Sequence, residues 1–90
     1  MKVIFDTKFR KIIKKRFPKS SMVRYQFTNR LKMFIDDPKN DVLKCHKLTG
    51  KMAGLNAMSV NGDVRAIYYM KCEDVACFID IGTHNQVYGK

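Results

Sequence analysis

The sequence predicts an α+β fold in which an N-terminal helical hairpin packs on a small curved antiparallel β-sheet. Two segments of the first half carry apolar residues at helical spacing. The second half carries β-prone segments on either side of Asn61-Gly62, a strong signal for a two-residue hairpin. A length of 90 residues and an apolar content of 46% suit one domain over 1–90 with one modest core.

The first part of the chain predicts a short strand and a capped helix. Lys2–Phe5 is β-prone, and Asp6 is suited to cap a helix that runs to about Phe17, ahead of Pro18. Arg16 falls on the apolar side of this helix, and we expect it to extend toward water at the helix C-terminus. The apolar positions on one face are Phe9, Ile12, Ile13 and Phe17.

A second amphipathic helix completes the hairpin. Ser20 or Ser21 is predicted to cap it, and it runs to about Ile35. Its core stripe comprises Val23, Phe27, Leu31, Phe34 and Ile35. A different side of the helix carries Met22, Tyr25 and Met33. These three are either ordinary surface residues or a docking patch for a partner protein.

Three strands are predicted after the polar stretch Lys39–Gly54. They cover Leu55–Val60, Asp63–Met70 and Val75–Ile81. Because no helix separates them, they should form an antiparallel meander. One face of this sheet would pack on the helices, and the other face would be free.

The charge of the chain favours a polyanionic partner. Net charge is +10, and residues 1–51 hold 15 of the 18 Lys and Arg side chains. Nucleic acid is the commonest polyanion in a cell, although a solvated lysine face that only maintains solubility is the alternative. The candidate RNA-binding residues are Lys8, Lys11, Lys15, Lys44, Lys47 and Lys51.

Cysteine usage and hydropathy point to a soluble cytoplasmic protein. Cys45, Cys72 and Cys77 include no C-x-x-C pair and disfavour disulfides. Their spacing relative to His46 and His84 matches no usual zinc pattern, so neither a metal nor another cofactor is expected. No apolar signal region or segment of membrane-spanning length is present in the sequence.

Polar side chains near the ends of the predicted strands suggest acid–base chemistry. His46 precedes the sheet, and the alternation of a strand puts Asp63 and Arg65 on one face. His84 and Tyr88 follow the last strand. Taken singly, each has a structural explanation, such as a turn aspartate, an ion-paired arginine or a solvated C-terminal tail.

Together, these residue types suit metal-independent RNA cleavage. That reaction turns the 2′-hydroxyl onto its own phosphate, and it needs a base, a cation and an acid. Histidine serves as base or acid near neutral pH, and arginine can clamp a phosphate. Tyrosine can stack on a base or donate a proton.

Three segments, in order, carry a resemblance to a known family. His46–Leu55 contains H-x-L-x-G-x-x-x-G, Val60–Tyr68 contains R-x-I-Y, and Asp80–Tyr88 contains G-T-H-x-x-V-Y. The chain resembles the RelE/ParE superfamily of type II toxin–antitoxin toxins, nearest the RelE/StbE and YafQ-like branches. The likeness spans essentially all 90 residues.

The resemblance implies a metal-independent endoribonuclease that cuts mRNA on the ribosome and is held inactive by a cognate antitoxin. It implies active-site roles at His46, Asp63, His84 and Tyr88, and phosphate stabilisation at Arg65. Two positions depart from the YafQ-like pattern, which often has a histidine at the position of Ser59 and a tryptophan at that of Val64.

Two other functions remain open from the sequence. A ParE-like toxin would bind and inhibit a protein target such as DNA gyrase, and its histidines would be incidental. A non-catalytic nucleic-acid-binding module would use the basic helices as a phosphate-binding surface. If the chain is either a ribonuclease toxin or a ParE-like toxin, its antitoxin should be acidic or amphipathic. We expect the antitoxin to cover the cationic surface, the extra apolar side of the second helix, or both.

Overall fold

The computed structural model describes residues 1–89 and confirms the predicted α+β class. The elements are β1 (Lys2–Phe5), α1 (Thr7–Arg16), α2 (Met22–Asp36), β2 (His46–Lys47), β3 (Asn56–Ser59), β4 (Val64–Cys72), β5 (Val75–Thr83) and α3 (His84–Tyr88). Two single 3-10 turns, Asp41–Leu43 and Gly50–Met52, lie in the segment between α2 and β3.

Side-chain caps set the starts of the two long helices. The Asp6 carboxylate accepts a hydrogen bond from the Lys8 backbone N–H at 3.1 Å at the start of α1. The Ser21 hydroxyl accepts one from the Arg24 N–H at 3.3 Å, so Ser21 rather than Ser20 caps α2. Both helices end within one residue of the predicted positions.

The sheet has five strands in the order β1-β5-β4-β3-β2. The predicted antiparallel meander is formed by β3, β4 and β5. The sheet as a whole is mixed, because β1 joins its edge in parallel with β5. The last strand continues to Thr83, two residues beyond its predicted end.

The two faces of the sheet carry different layers. Alternate residues of β3 and β4 divide between two apolar clusters because successive side chains of a strand point to opposite faces. The cluster on the α1–α2 side includes Phe9, Phe27, Phe34, Met58, Val60, Val64, Ala66 and Tyr68. The cluster on the other side is built on Ala57, Ile67 and Val87. The second face is therefore partly covered by α3 rather than free.

Two helix residues do not lie where the sequence predicted. Ile35 is 43% exposed instead of buried in the core. Arg16 does not extend into water, because α1 packs on β5 and brings its last turn against that strand. Its Nη1 donates to Asp80 Oδ1 at 3.0 Å and to the Ile81 carbonyl at 2.9 Å. The C-terminal end of α1 is thus tied to the strand that leads into α3.

Candidate active site

The closing segment of the chain is a short helix and not a frayed tail. The Thr83 hydroxyl accepts a hydrogen bond from the Gln86 N–H at 3.3 Å, and the Gln86 side chain accepts one from the Thr83 N–H at 2.8 Å. This capping box starts α3 directly at the end of β5. Side chains four residues apart share one face of a helix, so the His84 and Tyr88 rings meet with centroids 4.5 Å apart.

A cleft of about 400 Å³ opens beside α3. Its lining comprises His46, Leu48, Arg65, His84 and Tyr88. These residues come from β2 and the segment after it, from β4 and from α3. Four of the five side chains predicted to be catalytic therefore line one cavity, on the sheet face opposite α1 and α2.

Backbone carbonyls fix the orientation of Arg65. Its Nη1 donates to the Asn61 carbonyl at 2.7 Å and to the Val64 carbonyl at 3.1 Å. Within residues 1–89, the guanidinium makes no other hydrogen bond. Its remaining N–H groups are free to bind an anion in the cleft, and a guanidinium suits a phosphate because it can donate two parallel hydrogen bonds.

His46 has one ring nitrogen engaged and one free. Its Nδ1 lies 3.0 Å from the Lys44 carbonyl oxygen. A carbonyl only accepts, so in the neutral ring Nδ1 carries the proton and Nε2 is the unprotonated nitrogen. The exposed ring can thus accept a proton at Nε2.

No protein-family model matches the sequence, and no curated protein sequence matches it either. Solved structures do match. YafQ from E. coli strain BL21(DE3) has a TM-score of 0.80 at 20% identity over 97% of each chain. A YoeB/ParE toxin from Agrobacterium tumefaciens has a TM-score of 0.74 at 15% identity over 93% of this chain and 99% of that one. The toxin–antitoxin complex RelBE2 from Mycobacterium tuberculosis has a TM-score of 0.67 at 19% identity over 92% and 96%.

The chain has the RelE-type toxin fold. Three solved toxins or toxin complexes agree with it over nearly its full length. The predicted resemblance is thereby confirmed for the fold.

Asp63 does not line the cleft of this RelE-type fold. The prediction that it shares a strand face with Arg65 is wrong, because β4 begins one residue later, at Val64. Asp63 lies exposed in the turn, where its N–H donates to Asn61 Oδ1 at 2.8 Å. The Asn61 amide also donates to Gln26 Oε1 on α2 at 2.9 Å, which holds the turn against the helices.

The two departures from the YafQ-like pattern lie on opposite faces of the sheet. Ser59 pairs with Arg65 across β3 and β4 and is buried, and its hydroxyl donates to the Asn61 carbonyl at 3.2 Å. Val64 belongs to the core under α1 and α2. Ser59 lies across the strands from Arg65, whereas Val64 precedes Arg65 in the chain and places its side chain in the core.

The basic candidates form two groups along the chain, three near His46 and three on α1. Lys47 directly follows His46 on β2, Lys44 precedes this strand, and Lys51 lies in the turn after it. All three are exposed, and the alternation of β2 directs Lys47 to the face opposite His46. Lys8, Lys11 and Lys15 are exposed on α1, in the layer across the sheet.

The three candidate docking residues do not form one exposed patch. Met22 and Tyr25 are 67% and 66% exposed. Met33 is partly buried, packs against the main core, and its sulfur lies 3.9 Å from Arg30 Nη1. Only Met22 and Tyr25 are therefore available for contact on that side of α2.

Gly82 lies on β5 at the point where the ends of α1 and α3 meet that strand. The sequence patterns did not predict that it has a role in packing. An ideal Cβ at this buried position would lie 2.7 Å from Gln86 Oε1, 2.8 Å from Arg16 Nη1 and 2.8 Å from Gln86 Cβ. The absence of a side chain thus lets the helix that carries His84 and Tyr88 approach the end of β5. The pattern Thr83-x-x-Gln86 was a readable signal for α3, whereas nothing in the sequence pairs Arg16 with this end of the sheet.

Other chemical features lie outside the cleft. Among the 89 described residues, no three His, Cys, Asp or Glu side chains are grouped to hold a metal ion. Burial raises the pKa of Tyr68 and of the Cys45 thiol, and these two side chains contact each other on the helix side of the sheet. No helix over 1–89 has the length and apolar character needed to cross a membrane.

Proposed function

We propose that residues 1–90 form the toxin of a type II toxin–antitoxin system, and that the protein cleaves mRNA in the cytoplasm by attack of a 2′-hydroxyl on its own phosphate. The observation that carries the proposal is the convergence of His46, Arg65, His84 and Tyr88 on one cleft. A net charge of +10 favours an RNA substrate. The fold shared with solved toxins supports the biological role.

In this mechanism Arg65 binds the scissile phosphate. As the 2′-oxygen attacks phosphorus and the bond to the 5′-oxygen breaks, negative charge accumulates on the non-bridging oxygens. A guanidinium held in place by two carbonyls can offset that charge without reorganising. The products are a 2′,3′-cyclic phosphate and a free 5′-hydroxyl.

The two histidines carry the protons. His84 is the first candidate for general acid or base, and His46 is its counterpart through Nε2. Asp63 was an equal candidate for the counterpart, but His46 is favoured because Asp63 is not part of the cleft lining. Tyr88, against the His84 ring, would orient a base or the leaving group.

Two groups of exposed lysines would extend the RNA-binding surface beyond the cleft. Lys44, Lys47 and Lys51, which are close to His46 along the chain, would contribute to mRNA binding. Lys8, Lys11 and Lys15 lie on α1 in the other layer and suit a second polyanion, such as ribosomal RNA, during cleavage on the ribosome. A cognate antitoxin completes the system, as the toxin–antitoxin complex among the structural relatives suggests.

Mapping of RNA 5′ ends in cells tests the proposed activity. On induction of the protein, new 5′ ends are expected within coding regions, with hydroxyl rather than phosphate termini. A matched culture that expresses His84→Ala should lack them. Growth arrest with a DNA damage response and without new mRNA ends would contradict the proposal and would favour inhibition of DNA gyrase.

A further inference from the structure

Two side chains of α2 reach the turn between β3 and β4. The Gln26 side-chain oxygen accepts a hydrogen bond from Asn61 Nδ2 at 2.9 Å. Arg30 Nε donates to the Val60 carbonyl at 3.3 Å. Gln26 and Arg30 are four residues apart, so they share one face of the helix. Together they tie the helical layer to the turn that precedes β4, the strand that carries the cleft arginine.

Asn61 connects this tie to the guanidinium in the cleft. Its Oδ1 accepts hydrogen bonds from the backbone N–H groups of Asp63 and Val64, each at 2.8 Å. Arg65 Nη1 donates to the Asn61 carbonyl at 2.7 Å and to the Val64 carbonyl at 3.1 Å. One of these carbonyls belongs to Asn61 and the other to a residue whose N–H it binds, so both move with Asn61. The orientation of Arg65 thus depends on where α2 holds Asn61.

The direction of each of these hydrogen bonds follows from the donors and acceptors involved. Backbone N–H groups only donate, so the side-chain oxygen of Asn61 must face Asp63 and Val64. The NH₂ group of Asn61 therefore faces α2, and Gln26 must present its oxygen to it. Position 26 consequently requires an acceptor, and a carboxylate oxygen meets that requirement as an amide oxygen does.

We propose that Gln26 and Asn61 are positioning residues that hold the Arg65 guanidinium in the orientation in which it binds the scissile phosphate. The proposal rests on the proposed ribonuclease function, which gives Arg65 that role. Gln26 does not line the cleft and belongs to the helical layer across the sheet from it. A guanidinium that is already in place needs no reorganisation as charge develops on the phosphate, and these hydrogen bonds supply the fixed position.

Single-turnover mRNA cleavage by variants of Gln26 tests the proposal. Gln26→Ala removes the acceptor, and alanine is the most favourable residue in a helix, so α2 should remain intact. The rate constant of cleavage is expected to fall about tenfold, the factor that corresponds to the loss of one hydrogen bond.

Two further variants serve as the rescue and the control. Gln26→Glu keeps an oxygen toward Asn61 and should cleave within about twofold of the parental rate, because the hydrogen bond is retained. Asn29→Ala removes an exposed amide from the same helix and should cleave at the parental rate. Thermal melts of all the variants report whether the fold is retained.

An Arg65→Ala background shows whether Gln26 acts through the guanidinium. Arg65→Ala alone should cleave about 10²–10³-fold more slowly than the parent, the usual cost of losing such a donor. In that background Gln26→Ala is expected to lower the rate by less than about twofold further, because no guanidinium remains to be oriented. A general loosening of the fold would lower the rate by the same factor in both backgrounds. That outcome, a parental rate for Gln26→Ala, or equal losses in Gln26→Ala and Gln26→Glu would overturn the proposal.

The NMR signals of the Arg65 guanidinium N–H groups separate this proposal from the ribonuclease function. They are assigned by their loss in Arg65→Ala. In the parent the Nη1 protons should be protected from exchange with water, and Gln26→Ala but not Gln26→Glu should remove that protection. A parent protein that shows this dependence but cleaves no mRNA would refute the proposed function and leave the positioning of Arg65 standing. A protein that cleaves mRNA, with signals and rates unaffected by Gln26→Ala, would refute only the positioning role.

Discussion

Replacement of His84 with alanine is expected to lower the rate constant of mRNA cleavage by about 10²–10⁴-fold, the usual contribution of a general acid or base. His84 is exposed at the start of α3 and faces the same cavity as Arg65 and His46. The imidazole is the part of the side chain that transfers a proton. Expression of the variant should therefore no longer arrest growth.

The fold should survive this replacement. The capping box of α3 uses Thr83 and Gln86, and neither is altered. Asn85→Ala is the matched control, because Asn85 is also exposed on α3 but does not line the cleft. Single-turnover cleavage by the parent and both variants, with thermal melts of each, gives the comparison. Undiminished cleavage by His84→Ala would remove this residue from the mechanism.

Gly82→Ala is expected to lower the rate constant of mRNA cleavage by about 10²-fold, although Gly82 does not line the cleft. A displacement of catalytic side chains by about 1 Å can reduce a rate by that factor. The added methyl would meet Gln86 Cβ at 2.8 Å. A Cβ cannot swing away as a side-chain end can, so α3 itself must shift. His84 and Tyr88 would move with it. The overpacking should also lower the free energy of unfolding by about 1–3 kcal/mol.

Gly62→Ala is the matched control for this prediction. A Cβ at Gly62 would meet no atom within 4 Å, and it lies in the turn before β4. This variant should cleave mRNA at nearly the parental rate and melt at nearly the parental temperature. If Gly82→Ala matched it in both measurements, the tight contact between β5 and α3 would not be what positions the cleft.

Local chemistry made much of the fold predictable from the sequence. Asp6 and Ser21 cap helices because their side chains reach backbone N–H groups two or three residues ahead. Asn61 fixes the turn between β3 and β4 by accepting from two successive N–H groups through one side-chain oxygen. Each of these contacts spans at most three residues, and composition and order are sufficient to indicate them.

Contacts between distant residues were not predictable in the same way. Arg16 and Asp80 are 64 residues apart, and helical spacing showed only that Arg16 lies on the inner side of α1. The parallel pairing of β1 with β5 likewise joins residues that are 73 positions apart in the chain, such as Lys2 and Val75.

Residue types and their order predicted most of the candidate site, but not the exact position at which β4 begins. The types and order of the residues indicated His46, Arg65, His84 and Tyr88, and the cleft brings these four together. Asp63 was included because of the resemblance and because an early strand start put it on one face with Arg65, and a shift of one residue changes where its side chain lies. His84 and Tyr88 are four residues apart, and a single helical turn brings their side chains together.

One measurement tests the central claim most directly. Two mRNAs are presented on ribosomes, identical except that one carries a 2′-deoxyribose at the scissile nucleotide. The parent protein is expected to cut the ribose form and to leave the deoxy form intact at that position, because the attacking oxygen is missing. Cleavage of both at the same rate would contradict attack by the 2′-hydroxyl and, with it, the roles assigned to His46, Arg65 and His84.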